Sequence, residues 1–274
     1  MALGRYLGWP LPGGHRIRIH DSQEGIQRRI LSYGAYEPGI VELLQKILAP
    51  GEVFVDVGAN IGQHAIIGAG LGAFVYAIEP VPRLARRVQD NLTLNRLQRR
   101  AVVSEVAFTN YAGESVLYLA KRGDDGSHSL LDKVPAEHLQ PLAVKTTTLE
   151  KYVHDVVGRQ PHVVKIDVEG CEALVLDGAR SLLDATMPPA FIVETGDRLA
   201  DELGESALSV LNRFFTRGFR VFTIEDRPFS LIEVSPHAAS GELANYLAIH
   251  ESAYAYARLL SLLDNSAHRE LVRA

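Results

Sequence analysis

Twenty-two consecutive residues, Val57 to Ile78, contain no Asp, Glu, Lys or Arg, yet include five glycines. Asp56 and Glu79 close the stretch at its two ends. About 20 apolar residues suffice to cross a bilayer. Here, however, Asn60, Gln63 and His64 would face lipid, and the glycines would weaken any spanning helix. The stretch is therefore expected inside a globular fold, and the wider composition agrees: 47% hydrophobic and 22% charged in 274 residues. The opening MALGRYLGWPLPGG has neither a continuous apolar core nor a cleavage site, so a cytoplasmic protein is the default. The lone cysteine, Cys171, excludes a disulfide framework.

Short runs rich in Val and Ile alternate with helical patterns. Val53–Val57, Phe74–Ile78, Val102–Phe108, His162–Ile166, Phe191–Glu194, Phe219–Ile224 and Ala244–Ile249 read as strands. Continuous rather than alternating apolar character marks a parallel sheet covered on both faces. Helices are expected over Pro38–Leu48, Arg83–Leu97, Cys171–Leu183, Glu205–Phe215 and Glu251–Leu263. The pattern predicts an α/β, doubly wound, mostly parallel sheet, with a β-rich excursion between Gly113 and Thr148, before the fourth strand. No linker divides the chain. One domain is expected over 1–274: an N-terminal cap over 1–50, a core over 51–250 and a C-terminal helix over 251–274. Tyr254, Tyr256, Leu259, Leu260 and Leu263 give that helix an apolar surface suited to a homodimer.

Val53-Phe54-Val55-Asp56-Val57-Gly58-Ala59-Asn60-Ile61-Gly62 reads as strand, turn and helix start. Glycines at 58 and 62 would let backbone approach a ligand at the carboxyl end of the first strand, the expected crevice of such a sheet. The nicotinamide fingerprint needs G-x-G-x-x-G, whereas the spacing here is G-x-x-x-G with Asp56 ahead of it. That acid would repel a pyrophosphate and suits a cationic ligand such as S-adenosylmethionine. Glu79, ending the second strand, suits the two hydroxyls of a ribose.

Asp56-Val57-Gly58-Ala59-Asn60-Ile61-Gly62, Tyr76-Ala77-Ile78-Glu79-Pro80 and Val164-Lys165-Ile166-Asp167-Val168-Glu169-Gly170 with Glu172 resemble the FkbM-type S-adenosylmethionine-dependent methyltransferases. Val175-Leu176-Asp177-Gly178-Ala179, Ile192-Val193-Glu194, Thr148-Leu149-Glu150 and Tyr36-Glu37-Pro38 extend the resemblance, in order, over about residues 33–195. It implies a seven-stranded class I methyltransferase sheet of Rossmann-like form and methyl transfer, mostly to oxygen, on sugars and natural products. Carried onto this chain, it implies cofactor binding by Glu37, Asp56, Gly58, Asn60, Gly62, Glu79, Pro80 and Asp167. Glu105 and Ala107, ending the third strand, stand where the cofactor's adenine would lie.

Methyl transfer requires alignment of an acceptor lone pair with the S–CH3 bond, exclusion of water and a proton acceptor. Lys165 and Asp167 share a strand face at the end of the fourth strand, and Glu194 ends the fifth. Asp167, Lys165, Glu194, His64 and His128 are the candidate catalytic residues, with Asp167 or a nearby histidine as base. The plainer reading makes Lys165 and Asp167 a structural ion pair and leaves Glu169 and Glu172 charging a helix start. No ligand spacing indicates a metal, although Asp167, Glu169 and Glu194 could together hold Mg²⁺.

Arg83, Arg86, Arg87, Arg96, Arg99 and Arg100 crowd one helix, as in a nucleic-acid enzyme. No aromatic interleaving accompanies them, and the chain's charge is 28 − 33 = −5. A small-molecule or carbohydrate acceptor is therefore expected, with no nucleic acid and no membrane. An N- or nucleic-acid methyltransferase and an inert cofactor-binding scaffold are the alternatives.

Overall fold

The computed structural model describes residues 8–119, 130, 140–236 and 241–271. Its main sheet has eight strands: β1 (Val53–Val57), β2 (Phe74–Ile78), β3 (Ala101–Ser104), β4 (Val163–Ile166), β5 (Ala190–Thr195), β6 (Arg220–Asp226), β7 (Phe229–Val234) and β8 (Ala244–Ile249). Their order is β7-β6-β8-β5-β4-β1-β2-β3. From β3 to β5 every neighbour is parallel, while β8 runs antiparallel to both β5 and β6. The expected doubly wound α/β sheet is present. It holds eight strands instead of seven, because the two-residue turn Arg227-Pro228 folds Phe229–Val234 back onto β6 as an antiparallel edge. Ser230 and Glu233 interrupt the apolar residues of that half-exposed edge, so it lacks the continuous run that marked the other strands.

Period-two alternation divides the sheet between two cores. Phe54, Val75, Val163, Ile192 and Leu247 face a layer containing α1 (Gly25–Tyr33), α2 (Pro38–Ile47), α3 (Gln63–Gly70) and α4 (Pro82–Leu94). Val55, Val57, Val164, Ile166, Phe191 and Val193 face α5 (Glu172–Asp177) and α6 (Ala207–Phe215). All five residues of β1 are buried, as are all four of β4. Asp56 and Lys165 lie on the first of these faces, so the fold places a charged pair inside an apolar layer.

Several expected boundaries move. Val102–Phe108 is not one strand: β3 stops at Ser104, and Ala107–Phe108 pairs with Gln140–Thr147 in a separate three-stranded sheet with Gly113–Leu119. That sheet is the β-rich excursion. Cys171–Leu183 is two short helices, Glu172–Asp177 and Arg180–Leu183, with Gly178 at the break, where a Cβ would collide with the carbonyl of Thr109. The N-terminal segment contains α1, unforeseen among the turn signals. Glu24 caps it, accepting from the amides of Ile26 and Gln27 at 3.1 and 2.8 Å. The C-terminal helix, α7 (Tyr256–Leu271), begins at Tyr256 rather than Glu251. It docks on its own chain: Leu259 is fully buried, and Arg258 reaches Glu52 at 2.8 and 2.9 Å. Much of the surface expected to serve a dimer is thus spent internally, while Tyr254 and Leu260 stay exposed.

Candidate active site

The carboxyl ends of β1, β2 and β4 open into a crevice with about 910 Å³ of empty space, counted out to its open mouth. Its position follows from the sheet: the strand order reverses about β1 and β4, and the turns leaving them part on opposite sides.

Three turns form its walls. After β1, Gly58 and Asn60 both adopt left-handed backbone, with φ of +84° and +52°. The Asn60 amide donates to Glu79 Oε2 and the Val81 amide to Glu79 Oε1, both at 2.9 Å. Glu79, 5% exposed, thus ties the first turn to the second and retains further acceptor positions at the crevice wall. Burial pushes its carboxyl up to about 7 against the pull of the two amides. In the third turn, after β4, the Val168 and Gly170 amides donate to Glu172 Oε1 at 3.0 and 3.1 Å. Glu172 is buried and shapes this turn, as its plainer reading held. Glu169, left-handed at φ +55°, reaches the crevice lining.

The two glycines divide their work differently from expectation. A Cβ on Gly58 would strike the carbonyl oxygen of Asp167, so glycine there lets the β1 and β4 turns touch. Gly62 is packed against Val88 of α4 and does not line the crevice. Its role is helix–helix approach, not ligand approach. Asp56 also stands behind the wall, wholly buried, with neither oxygen hydrogen-bonded at ordinary geometry. Desolvation raises its carboxyl to about 6; Lys165 and the Ala65 amide offset this only in part.

Asp56 and Lys165 are paired in register across β1 and β4. Lys165, 1% exposed, reaches Asp167 Oδ2 at 2.7 Å and lies 3.9 Å from Glu37 Oε2. Burial alone would favour a neutral amine, but Asp167, Glu37 and Asp56 outweigh it and hold the ammonium charged. Glu37, at the head of α2, also accepts from Asn245 Nδ2 at 2.7 Å and stands 3.7 Å from His64 Nε2. Glu194 adds a further carboxylate from β5, within 4.8 Å of ligand atoms of Asp167 and Glu169. Burial and then the neighbouring acids push Glu194 and Glu37 upward. His64 is driven well below its ordinary value by burial and by Lys165, so its ring is neutral at physiological pH.

The structure therefore brings Glu37, Asp56, His64, Lys165, Asp167 and Glu194 together, and it sets Glu79, Pro80, Asn60 and Gly58 along the crevice. His128 lies outside the described residues. Glu105 is exposed and is not among the residues of the crevice lining, to which Val106, Ala107 and Phe108 contribute. Ala107 keeps its place but belongs to the small sheet, since the third strand ends three residues earlier. Two residues escaped the sequence reading. Tyr36 lines the crevice, and the Gln63 side chain clamps its backbone, accepting from the Tyr36 amide at 2.8 Å and donating to its carbonyl at 2.6 Å. The only sequence hint was their adjacency to Glu37 and to the glycine turn.

The model of the methyltransferase FkbM domain matches residues 56–221, well over half of the chain. The chain is 30% identical over 149 residues to the hexuronic acid methyltransferase AglP of Haloferax volcanii, an alignment covering 54% of this chain and 59% of that protein. A shorter match, 39% over 67 residues, is to the ribosomal protein L11 methyltransferase of Carboxydothermus hydrogenoformans, covering 24% of this chain and 22% of that one. The chain thus spans less than two thirds of the curated relatives it matches. Among solved structures it is similar to precorrin-6Y C5,15-methyltransferase from Geobacter metallireducens, at 13% identity and TM-score 0.48 over 88% of this chain and 99% of that one. With the glycine turn, the Glu79 wall and the Lys165–Asp167 pair all inside the matched span, the chain belongs to the FkbM methyltransferase domain family.

Proposed function

We propose that this protein transfers the methyl group of S-adenosylmethionine to a hydroxyl of a sugar or natural-product small molecule. The observation that carries this reading is the crevice itself. A ribose-suited carboxylate, Glu79, stands on its wall, and a partly accessible carboxylate, Asp167, is held by Lys165 at its inner end.

The residues present fit that cofactor. Glu79 has acceptor capacity left for ribose hydroxyls, and the backbone of Gly58 to Asn60 forms the floor. Glu37, Asp56 and Asp167 surround the buried Lys165 ammonium, and Glu79, Glu169 and Glu194 add further acidic groups about the crevice, a setting suited to a ligand with sulfonium and ammonium groups. Val106, Ala107 and Phe108 offer the apolar surface an adenine needs.

When bound, the cofactor supplies an electrophilic methyl group on a positively charged sulfur. This chain's own residues do the remaining work. Lys165 fixes the Asp167 carboxylate through its 2.7 Å contact and leaves Asp167 Oδ1 to meet the acceptor hydroxyl. With the cofactor bound, Asp167 would take the proton of the acceptor hydroxyl. Glu37 stands 3.9 Å from Lys165 Nζ and 3.7 Å from His64 Nε2.

AglP is named for a hexuronic acid, which supports a sugar acceptor over a nucleic acid. No helix among the described residues is long and apolar enough to cross a membrane. The single buried cysteine supports a cytoplasmic setting. Tyr254 and Leu260 are the exposed apolar residues through which a homodimer would form. Calorimetric titration with S-adenosylhomocysteine and with NAD tests the reading: the first is expected to bind and the second not, and the opposite result would overturn it.

A further inference from the structure

Within the acid-lined crevice one polar side chain is without a partner. The Tyr36 hydroxyl has no hydrogen bond among the described residues, although its backbone is held on both sides by Gln63. Its phenol lies within electrostatic reach of Glu37, Asp167, Glu194 and Glu169, and with burial these hold it protonated, as a donor. The ring continues outward to the rim, where the Arg29 guanidinium sits 5.7 Å from its centroid. Arg29 stands one turn after Ile26 on α1; Ile26 and Tyr36 line the crevice, and the exposed Arg29 lies outside that lining, against the Tyr36 ring. Lys165 is engaged by Asp167, and Arg83 acts on Glu79. Arg29 has no carboxylate at ion-pair distance among the described residues, which leaves its fork of donors available at the rim.

Charge then divides the site by depth. Asp167 and Glu169 in the lining disfavour a second anion inside, whereas the Arg29 cation stands outside it against Tyr36. An acidic acceptor satisfies both conditions only in one orientation, with its carboxylate outward on Arg29 and a hydroxyl inward toward Asp167. We propose that Arg29 and Tyr36 read the acceptor, and that the acceptor is a hexuronate whose carboxylate pairs with Arg29 while the Tyr36 O–H donates to a sugar oxygen. This rests on the methyl-transfer reading and deepens it. A planar guanidinium suits a carboxylate in two-point contact, and stacking on Tyr36 pre-orients it.

Protein saturated with S-adenosylhomocysteine is titrated calorimetrically with methyl glucuronoside, methyl galacturonoside, methyl glucoside and glucose 6-phosphate. At least one uronoside is expected to bind about tenfold more tightly than the glucoside, the scale of one charge-assisted pair. Arg29→Gln should bring the two within about twofold, and Tyr36→Phe should weaken both sugars by about fivefold. Neither variant should alter S-adenosylhomocysteine affinity or the melting temperature. The inference is overturned by a wild type that binds no uronoside or shows no preference for one, by a preference that survives Arg29→Gln, or by selection of the phosphate instead. Failure of S-adenosylhomocysteine to bind wild type would overturn the cofactor reading as well. Failure of selection with it bound overturns this inference alone.

Discussion

Lys165 is the residue on which the inner end of the crevice depends. It is the ammonium among Glu37, Asp56 and Asp167, and it is buried to 1% exposure. Strand alternation placed Lys165 and Asp167 on one face, and they do meet, so this much of the site was legible from spacing. Glu37 was not: it comes from a helix start far earlier in the chain, and no local pattern records that α2 delivers it to β4. At this scale Asp167→Asn is the sharpest test. It removes the proton acceptor while keeping shape, so turnover on a methyl-accepting glycan should fall about a hundredfold or more. S-adenosylhomocysteine affinity should change little. Radiolabelled methyl transfer and calorimetry measure the two quantities, and unchanged turnover would remove Asp167 from the chemistry.

Among elements, the coupling of α2 and α3 decides how rigid the crevice is. Gln63 is the first residue of α3, 3% exposed, and it replaces a strand's pairing for Tyr36 with two side-chain hydrogen bonds. Gln63→Ala leaves a partly buried amide and carbonyl without partners, at a cost of roughly 2–4 kcal/mol. Urea unfolding should show that loss, and hydrogen exchange at the Tyr36 amide should accelerate. A variant as stable and as protected as wild type would show the clamp to be incidental. Element positions were readable where apolar runs were continuous, as for β1, β2 and β4. They failed where tertiary contact cuts an element short. Gly178, close against Thr109, stands at the break in the helix after β4, and the third strand stops where the small sheet takes over its chain.

For the whole molecule, buried ionisable groups shape stability against pH. Glu79 and Glu172 are raised to about 7 and Asp56 to about 6. Their folded values exceed their unfolded ones of 3.8 to 4.5, so the stability they contribute is fully present below about pH 4 and is lost as pH rises from there to 6 or 7. His15, His64 and His162 are lowered by burial, so they oppose folding once pH falls below their ordinary value of 6.5. Below pH 6.5 the two trends oppose each other, and above it only the carboxylate loss remains, so the ligand-free protein should lose stability between about pH 6.5 and 7 and not gain it. Urea titrations from pH 5 to 8 measure the curve, and a continuous rise through pH 7.5 would contradict it. A cationic ligand that compensates the carboxylates should flatten the decline.

The sequence by itself determined that this chain forms a buried parallel sheet with a ligand turn after its first strand. Continuous apolar runs and a glycine followed by a left-handed Asn60 are local demands, met by local residues. It also marked Glu79 and the Lys165–Asp167 pair, because strand ends and alternation are matters of spacing. Only the tertiary structure decided that Asp56 stands behind the wall, that Gly62 serves α4, and that Glu37, His64 and Tyr36 join Lys165 at one point. Those outcomes depend on which helix covers which strand end. That is set by the packing of whole faces, on which the spacing of residues along the chain is silent.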